Sequence, residues 1–139
     1  MCRLQSKNMF KTHFYHGLIS GIMAALAAII YSRIHYFATE ADFSAIINLG
    51  TIISLNLIVC LIISVGYYFF VSISKKKRDL IYHLLISVLS FAAVIIPISI
   101  SLPLSVKNPE LFPGLAVPMI FFPALAWFTF KPLFFVSEK

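Results

Sequence analysis

Residues 74–102 read SKKKRDLIYHLLISVLSFAAVIIPISISL. Four consecutive cations, Lys75, Lys76, Lys77 and Arg78, are followed by Asp79 and then by residues 80–102, which contain no Asp, Glu, Lys or Arg. A helix rises about 1.5 Å per residue and the hydrocarbon core of a bilayer is about 30 Å thick, so this uncharged run is long enough to cross it. In lipid each backbone N–H and C=O must be satisfied within the structure, which makes such a run helical. The cations at its head are an orientation signal of the kind kept on the cytoplasmic face.

Working outward, three further stretches meet the same criterion: residues 17–37, 46–71 and 111–130. The connections, 38–45, 72–79 and 103–110, are too short for anything but antiparallel neighbours. The expected fold is therefore all-α, one transmembrane domain over residues 1–139, built as a four-helix up-down bundle. Composition agrees, because 60% of the 139 residues are hydrophobic and 12% are charged, against about a quarter charged in a water-facing domain. Arg3, Lys7 and Lys11 form a basic leader, but the apolar run behind them is longer than a signal-peptide core, so it is expected to stay in the membrane.

Lysine and arginine divide unevenly between the two ends of such a bundle. One end collects Arg3, Lys7, Lys11, Lys75, Lys76, Lys77, Arg78, Lys131 and Lys139, and the other only Arg33 and Lys107. The positive-inside rule then puts both termini in the cytoplasm. Tyr15, Tyr67, Tyr68, Tyr82 and Trp127 are assigned to the inner interface belt, and Tyr31 and Tyr36 to the outer one. The net charge of +6 does not imply a nucleic acid, because the cations flank apolar spans instead of lining one soluble face. Lys75, Lys76, Lys77 and Arg78 are also where anionic lipid of the inner leaflet is attracted. In layout the chain resembles small multi-pass proteins of the bacterial cytoplasmic membrane.

Between helices in lipid, small and polar residues mark packing faces better than leucine does. On the first span Gly17, Gly21, Ala24, Ala28, Ser32 and His35 share one stripe. It has two readings, packing inside the bundle and association of copies or of another subunit, of which the first is favoured. On the third span His83, Ser87, Ser90, Pro97 and Ser101 share a face, and on the second Asn56, Cys60 and Ser64 do so. Pro118 and Pro123 are expected to kink the fourth span, freeing the carbonyls of Gly114 and Met119. The Asn56 amide or a serine of the third span is expected to donate to them, closing an internal polar network.

Chemistry is sparse. No span carries an Asp or Glu in its interior, which removes the carboxylates of a di-iron bundle and the embedded glutamate of small multidrug-resistance antiporters. Cys2 and Cys60 form no disulfide framework or metal cluster, and Cys60 reads as a buried apolar residue. His16 and His83 begin parallel spans at similar depth, with His13 nearby, so they are the candidates for a haem or metal; otherwise no cofactor is expected. At the other end Arg33, His35, Glu40, Asp42, Lys107 and Glu110 form a charged mouth, with Asp42 or Ser44 as the cap of the second helix. No catalytic motif is present. The leading expectation is a non-enzymatic accessory or self-associating membrane subunit. The alternatives are a small-molecule carrier or binder of lipophilic ligands, with a pocket lined by Asn56, Ser87, Ser90 and the carbonyls freed by Pro118 and Pro123, and a redox protein using His16 and His83.

Overall fold

The computed structural model describes residues 2–71, 77–100 and 108–134, with side chains described from residue 9 and between 79 and 100 as well as in 9–70 and 108–134. Every regular element among them is helical: α1 (Cys2–Thr39), α2 (Leu49–Val71), α3 (Lys77–Ala93), α4 (Ile95–Ser99), a 3-10 turn (Pro109–Leu111) and α5 (Phe112–Phe134). Four helical stretches are long and apolar enough to cross a membrane, Met9–Thr39, Leu49–Phe70, Asp79–Ser99 and Pro109–Phe134. The chain is an all-helical protein with the makings of four spans.

The helix of the fourth span, α5, runs on to Phe134, past the expected 130, and three further departures from the sequence expectation each have a local reason. First, α1 begins far ahead of residue 17, because residues 2–16 contain no Gly or Pro to interrupt it. Second, the helix expected over 80–102 ends at Ala93, turns at Val94 and resumes as α4. Pro97 lacks an N–H, and its ring displaces the carbonyl four residues earlier, which is that of Ala93. Third, neither Asp42 nor Ser44 caps α2. Asn48 does so, its Oδ1 accepting from Thr51 N at 2.8 Å and Thr51 Oγ1 at 3.0 Å. Asp42 instead holds the preceding turn by accepting from Ser44 N at 2.8 Å. That bond keeps its carboxyl below the ordinary value of 3.8.

Residue pairings give the order of the helices. Gly17 lies against Ser64 and Gly21 against Leu57, Tyr67 meets Asp79, His83 stacks on Phe128 and Tyr31 reaches Gly114. Consecutive spans therefore run antiparallel. The starts of α1 and α3 share one end with the finishes of α2 and α5. In cross-section α2 and α5 touch, with α1 and α3 at opposite corners.

Apolar packing is concentrated at the two ends. Ile63, Tyr67, Tyr82, Ile86, Ala124 and Trp127 form one cluster, and Ala41, Phe43, Phe112, Leu115 and Ala116 the other. Tyr67, Tyr82 and Trp127, expected in an interface belt, are thus core residues. Between the clusters the contact is made by small residues. A Cβ on Gly17 would lie 2.8 Å from Ser64 Cβ, and one on Gly21 would lie 3.0 Å from Leu57 Cα. Ala24 and Ala28 continue the same buried line. The small-residue stripe of α1 is thus occupied within the chain.

Candidate functional site

The richest gathering of chemical groups lies where α2 and α5 finish and α3 begins. Asp79 Oδ1 accepts from Tyr67 Oη at 2.8 Å and from the Lys131 ammonium at 2.5 Å, and His83 Nε2 lies 3.2 Å from the same oxygen. The ammonium is also 2.5 Å from His83 Nε2. It sits 4.6 Å from the centre of the Tyr67 ring and 5.7 Å from that of Trp127, an arrangement attractive to a cation. Lys131 has three N–H donors and no acceptor, so His83 Nε2 receives from it and the imidazole proton belongs on Nδ1. With its lone pair engaged, Nε2 is not a free base.

The Lys131 side chain is 14% exposed and that of Asp79 is 43% exposed. The pair therefore lies between a surface contact, worth up to about 1 kcal/mol, and a buried one, whose disruption costs about 3–5 kcal/mol. Its geometric effect is plain: it ties the head of α3 to the tail of α5, while Tyr67 ties the same carboxylate to α2. Tyr82 adds a second tie by donating to the Ile63 carbonyl at 2.6 Å. A Cβ on Gly66 would come within 2.8 Å of that hydroxyl, so the glycine makes room for it.

His16 is fully buried beside this clasp, with Nε2 donating to the Trp127 carbonyl at 3.1 Å. Its ring lies 5.2 Å from the indole, and that of His83 lies 5.5 Å from the same indole. The two histidines expected as a ligand pair thus both pack on Trp127, and each commits Nε2 to a hydrogen bond. No cluster of three or more metal-type side chains occurs among the described residues. His13 packs on Tyr67 and Tyr68, and its carbonyl accepts from Ser64 Oγ.

The polar network expected around the fourth span takes a different form. The Gly114 carbonyl freed by Pro118 is met by Tyr31 Oη at 2.8 Å, from α1 and not from Asn56. Asn56 is buried, and its amide donates to Ile52 of its own helix at 2.8 Å, while Oδ1 has no hydrogen-bond partner among the described residues. Cys60 Sγ approaches the Pro123 carbonyl at 3.5 Å. Ser90 Oγ bonds to its own Ile86 carbonyl at 2.9 Å. Ser87 and Ser90 line a groove of about 160 Å³ with Phe91, Phe121, Ala124 and Phe128. Pro97 is buried. Pro118, Pro123 and Pro132 all lie inside continuous α5.

At the opposite end the charged mouth is formed in part. Arg33, His35 and Asp42 line a cavity of about 560 Å³ between the end of α1, the 40–48 connection and the start of α2. Glu40 and Glu110 do not line it, and Lys107 lies outside the described residues. Of the basic run, Lys75 and Lys76 also lie outside them, while the backbone of Lys77 and Arg78 opens α3.

In the sequence Lys131 reads only as an orientation signal, and Asp79 belongs to no candidate group. The usable signal was depth: in an up-down bundle Asp79 at the head of one span and Lys131 at the tail of the next share a level, and Asp79 is four residues before His83. Comparison with protein-family models, curated proteins and solved structures finds no match.

Proposed function

We propose that the chain is a non-enzymatic, multi-pass protein of the bacterial cytoplasmic membrane that works by contact, offering α3 and α4 to a transmembrane helix of a second protein or copy. The single observation that carries this reading is the uneven burial of the four spans. Asp79–Ser99 is the least buried of them, with Leu84 66% and Phe91 69% exposed. Beside this face runs the groove with Ser87, whose hydroxyl makes no hydrogen bond among the described residues. A small, serine-lined groove is the kind of surface that admits another helix closely in lipid.

Both termini face the cytoplasm in this reading, which rests on the one-sided distribution of lysine and arginine. The Lys75–Arg78 run then meets anionic lipid of the inner leaflet. A lipophilic-ligand site in the groove is disfavoured by size, since about 160 Å³ is below the roughly 300 Å³ of small-molecule sites.

Photo-crosslinking side chains introduced at Val88 and Phe91, with Ile30 of α1 as the control, test the proposal in native membranes. Protein adducts from the two α3 positions and lipid adducts alone from Ile30 are expected. Lipid adducts alone at all three positions refute it.

A further inference from the structure

The cavity at the end of α1 combines features that the proposed contact surface does not use. Its floor is apolar, made by Ile29, Ile47, Ile52 and Leu115, and its rim carries Arg33 and Asp42. A volume of about 560 Å³ falls within the range of small-molecule sites. The two charges share the cavity without pairing with each other: no ion pair joins them within 4 Å, and among the described residues the Arg33 guanidinium has no hydrogen-bond partner. Asp42 is held in place by the Ser44 N–H, so its carboxylate is positioned and charged.

A purely anionic group on this rim meets Arg33 favourably and Asp42 unfavourably, and a purely cationic group does the reverse. A group carrying a phosphate and a primary ammonium a few bonds apart satisfies both, with the fork of Arg33 on the phosphate and Asp42 accepting from the ammonium. The cavity lies where the first span ends and the second begins, the level at which headgroups sit if those spans cross a bilayer. Exposed Leu49, which lines it, and Ile53 one turn on continue from it along α2 and offer a track for an acyl chain.

We infer that this cavity binds an aminoalkyl phosphate zwitterion, held by Arg33 and Asp42 over the apolar floor. The inference rests on the four stretches being membrane spans and is independent of the contact surface on α3 and α4.

The test uses the purified full-length protein in micelles free of such lipid, with three probes: a short-chain glycerophospholipid with an ethanolamine head, its counterpart with a glycerol head, and free phosphoethanolamine. For the wild type the ethanolamine lipid is expected to bind about tenfold more tightly than the glycerol lipid, the size of effect one hydrogen bond to a charged group gives. Arg33→Gln should weaken both lipids. Asp42→Asn should erase the difference between them while leaving the fold intact, since an asparagine oxygen still accepts from Ser44 N–H. Free phosphoethanolamine binding as tightly as the lipid assigns the site to a soluble zwitterion, and binding at least tenfold more weakly assigns it to a lipid; both keep the recognition chemistry. Equal binding of the two lipids to the wild type, or a preference that survives Asp42→Asn, overturns the inference.

Discussion

Replacing Gly17 or Gly21 with alanine tests whether the close approach of α1 and α2 holds the bundle together. The new methyl at residue 17 would sit 2.8 Å from Ser64 Cβ, and at residue 21 it would sit 3.0 Å from Leu57 Cα. Carbon atoms rest about 3.5–4.0 Å apart, so the helices must separate by roughly 1 Å or repack. Overfilling of this kind costs about 1–3 kcal/mol. Alanine also favours the helix over glycine by about 1 kcal/mol, so the two effects oppose and a net loss of about 1 kcal/mol per site is expected. Neither clash can be relieved by rotating a side chain, because backbone is an obstacle at both sites: the Cys60 carbonyl oxygen lies 3.1 Å from the new methyl at residue 17 and Leu57 Cα 3.0 Å from that at residue 21. Gly114→Ala is the control, as its nearest neighbour, His35 Nε2, would be 3.6 Å away; it should be neutral or stabilising by up to about 1 kcal/mol. Trp127 is the single tryptophan and is fully buried, so its fluorescence reports unfolding in mixed micelles of increasing dodecyl sulfate content. A double variant, Gly17→Ala with Ser64→Gly, should cost less than the sum of the two single changes, since Ser64→Gly by itself loses the bond to the His13 carbonyl but in the double variant also removes the atom in the way. If Gly17→Ala and Gly21→Ala left stability unchanged and instead abolished association between copies, packing of the stripe within one chain would be refuted.

Removing one partner of the clasp, by Lys131→Met or Asp79→Asn, should loosen α3, and the double variant should cost less than the sum of the two. A coupling of about 1 kcal/mol is expected in the same unfolding assay, the carboxylate being too exposed for more. Pro97→Ala restores a donor opposite the Ala93 carbonyl, so amides 94–97 should gain protection from hydrogen exchange as α3 and α4 merge; unchanged exchange there would show that something other than the proline breaks the helix. Asn48→Ala should cost about 1 kcal/mol and speed exchange in the first turn of α2, whereas Ser44→Ala should leave that turn alone.

The helical class and the number of spans were legible because both follow from long runs of uncharged residues, which lipid enforces over local propensity. The α1 stripe was legible too, since helical spacing brings Gly17, Gly21, Ala24 and Ala28 to one face whatever lies opposite. What lay opposite was not. The sequence shows that Asn56 must bond to something and that Pro118 frees an acceptor, but an amide can reach back to its own helix, as Asn56 does to Ile52. That left the acceptor to Tyr31, which looked like an interface residue. Trp127 misled similarly: its place near a span end suggested a belt, while only the tertiary pairing of α5 with α1 and α2 shows it enclosed by His16, Tyr67 and His83. The Asp79–Lys131 pair spans 52 residues, and nothing local in either segment announces it.

The distribution of ties decides which helix can move. In lipid, apolar side chains gain little by leaving the solvent for one another, so helices are held by close small-residue packing and by polar handles. α1 has both: glycines against α2 and hydrogen bonds to α5 from His16 and Tyr31, near its two ends. Among the described residues α3 has handles only near its head, through Asp79, Tyr82 and His83, and no side chain from 91 to 100 bonds to another element. Its far half rests on α5 through contacts such as Phe91 with Phe121 at 5.3 Å. The softest deformation of the bundle is therefore a swing of α3 and α4 about the clasp, which opens the groove at Ser87 and Ser90 without breaking a hydrogen bond between helices. Under the proposed function, a partner helix seated there would replace one set of dispersion contacts by another, so its docking would be opposed by little beyond the lipid it displaces. Weakening the clasp should then change how firmly α3 meets that partner while leaving the α1, α2 and α5 core intact.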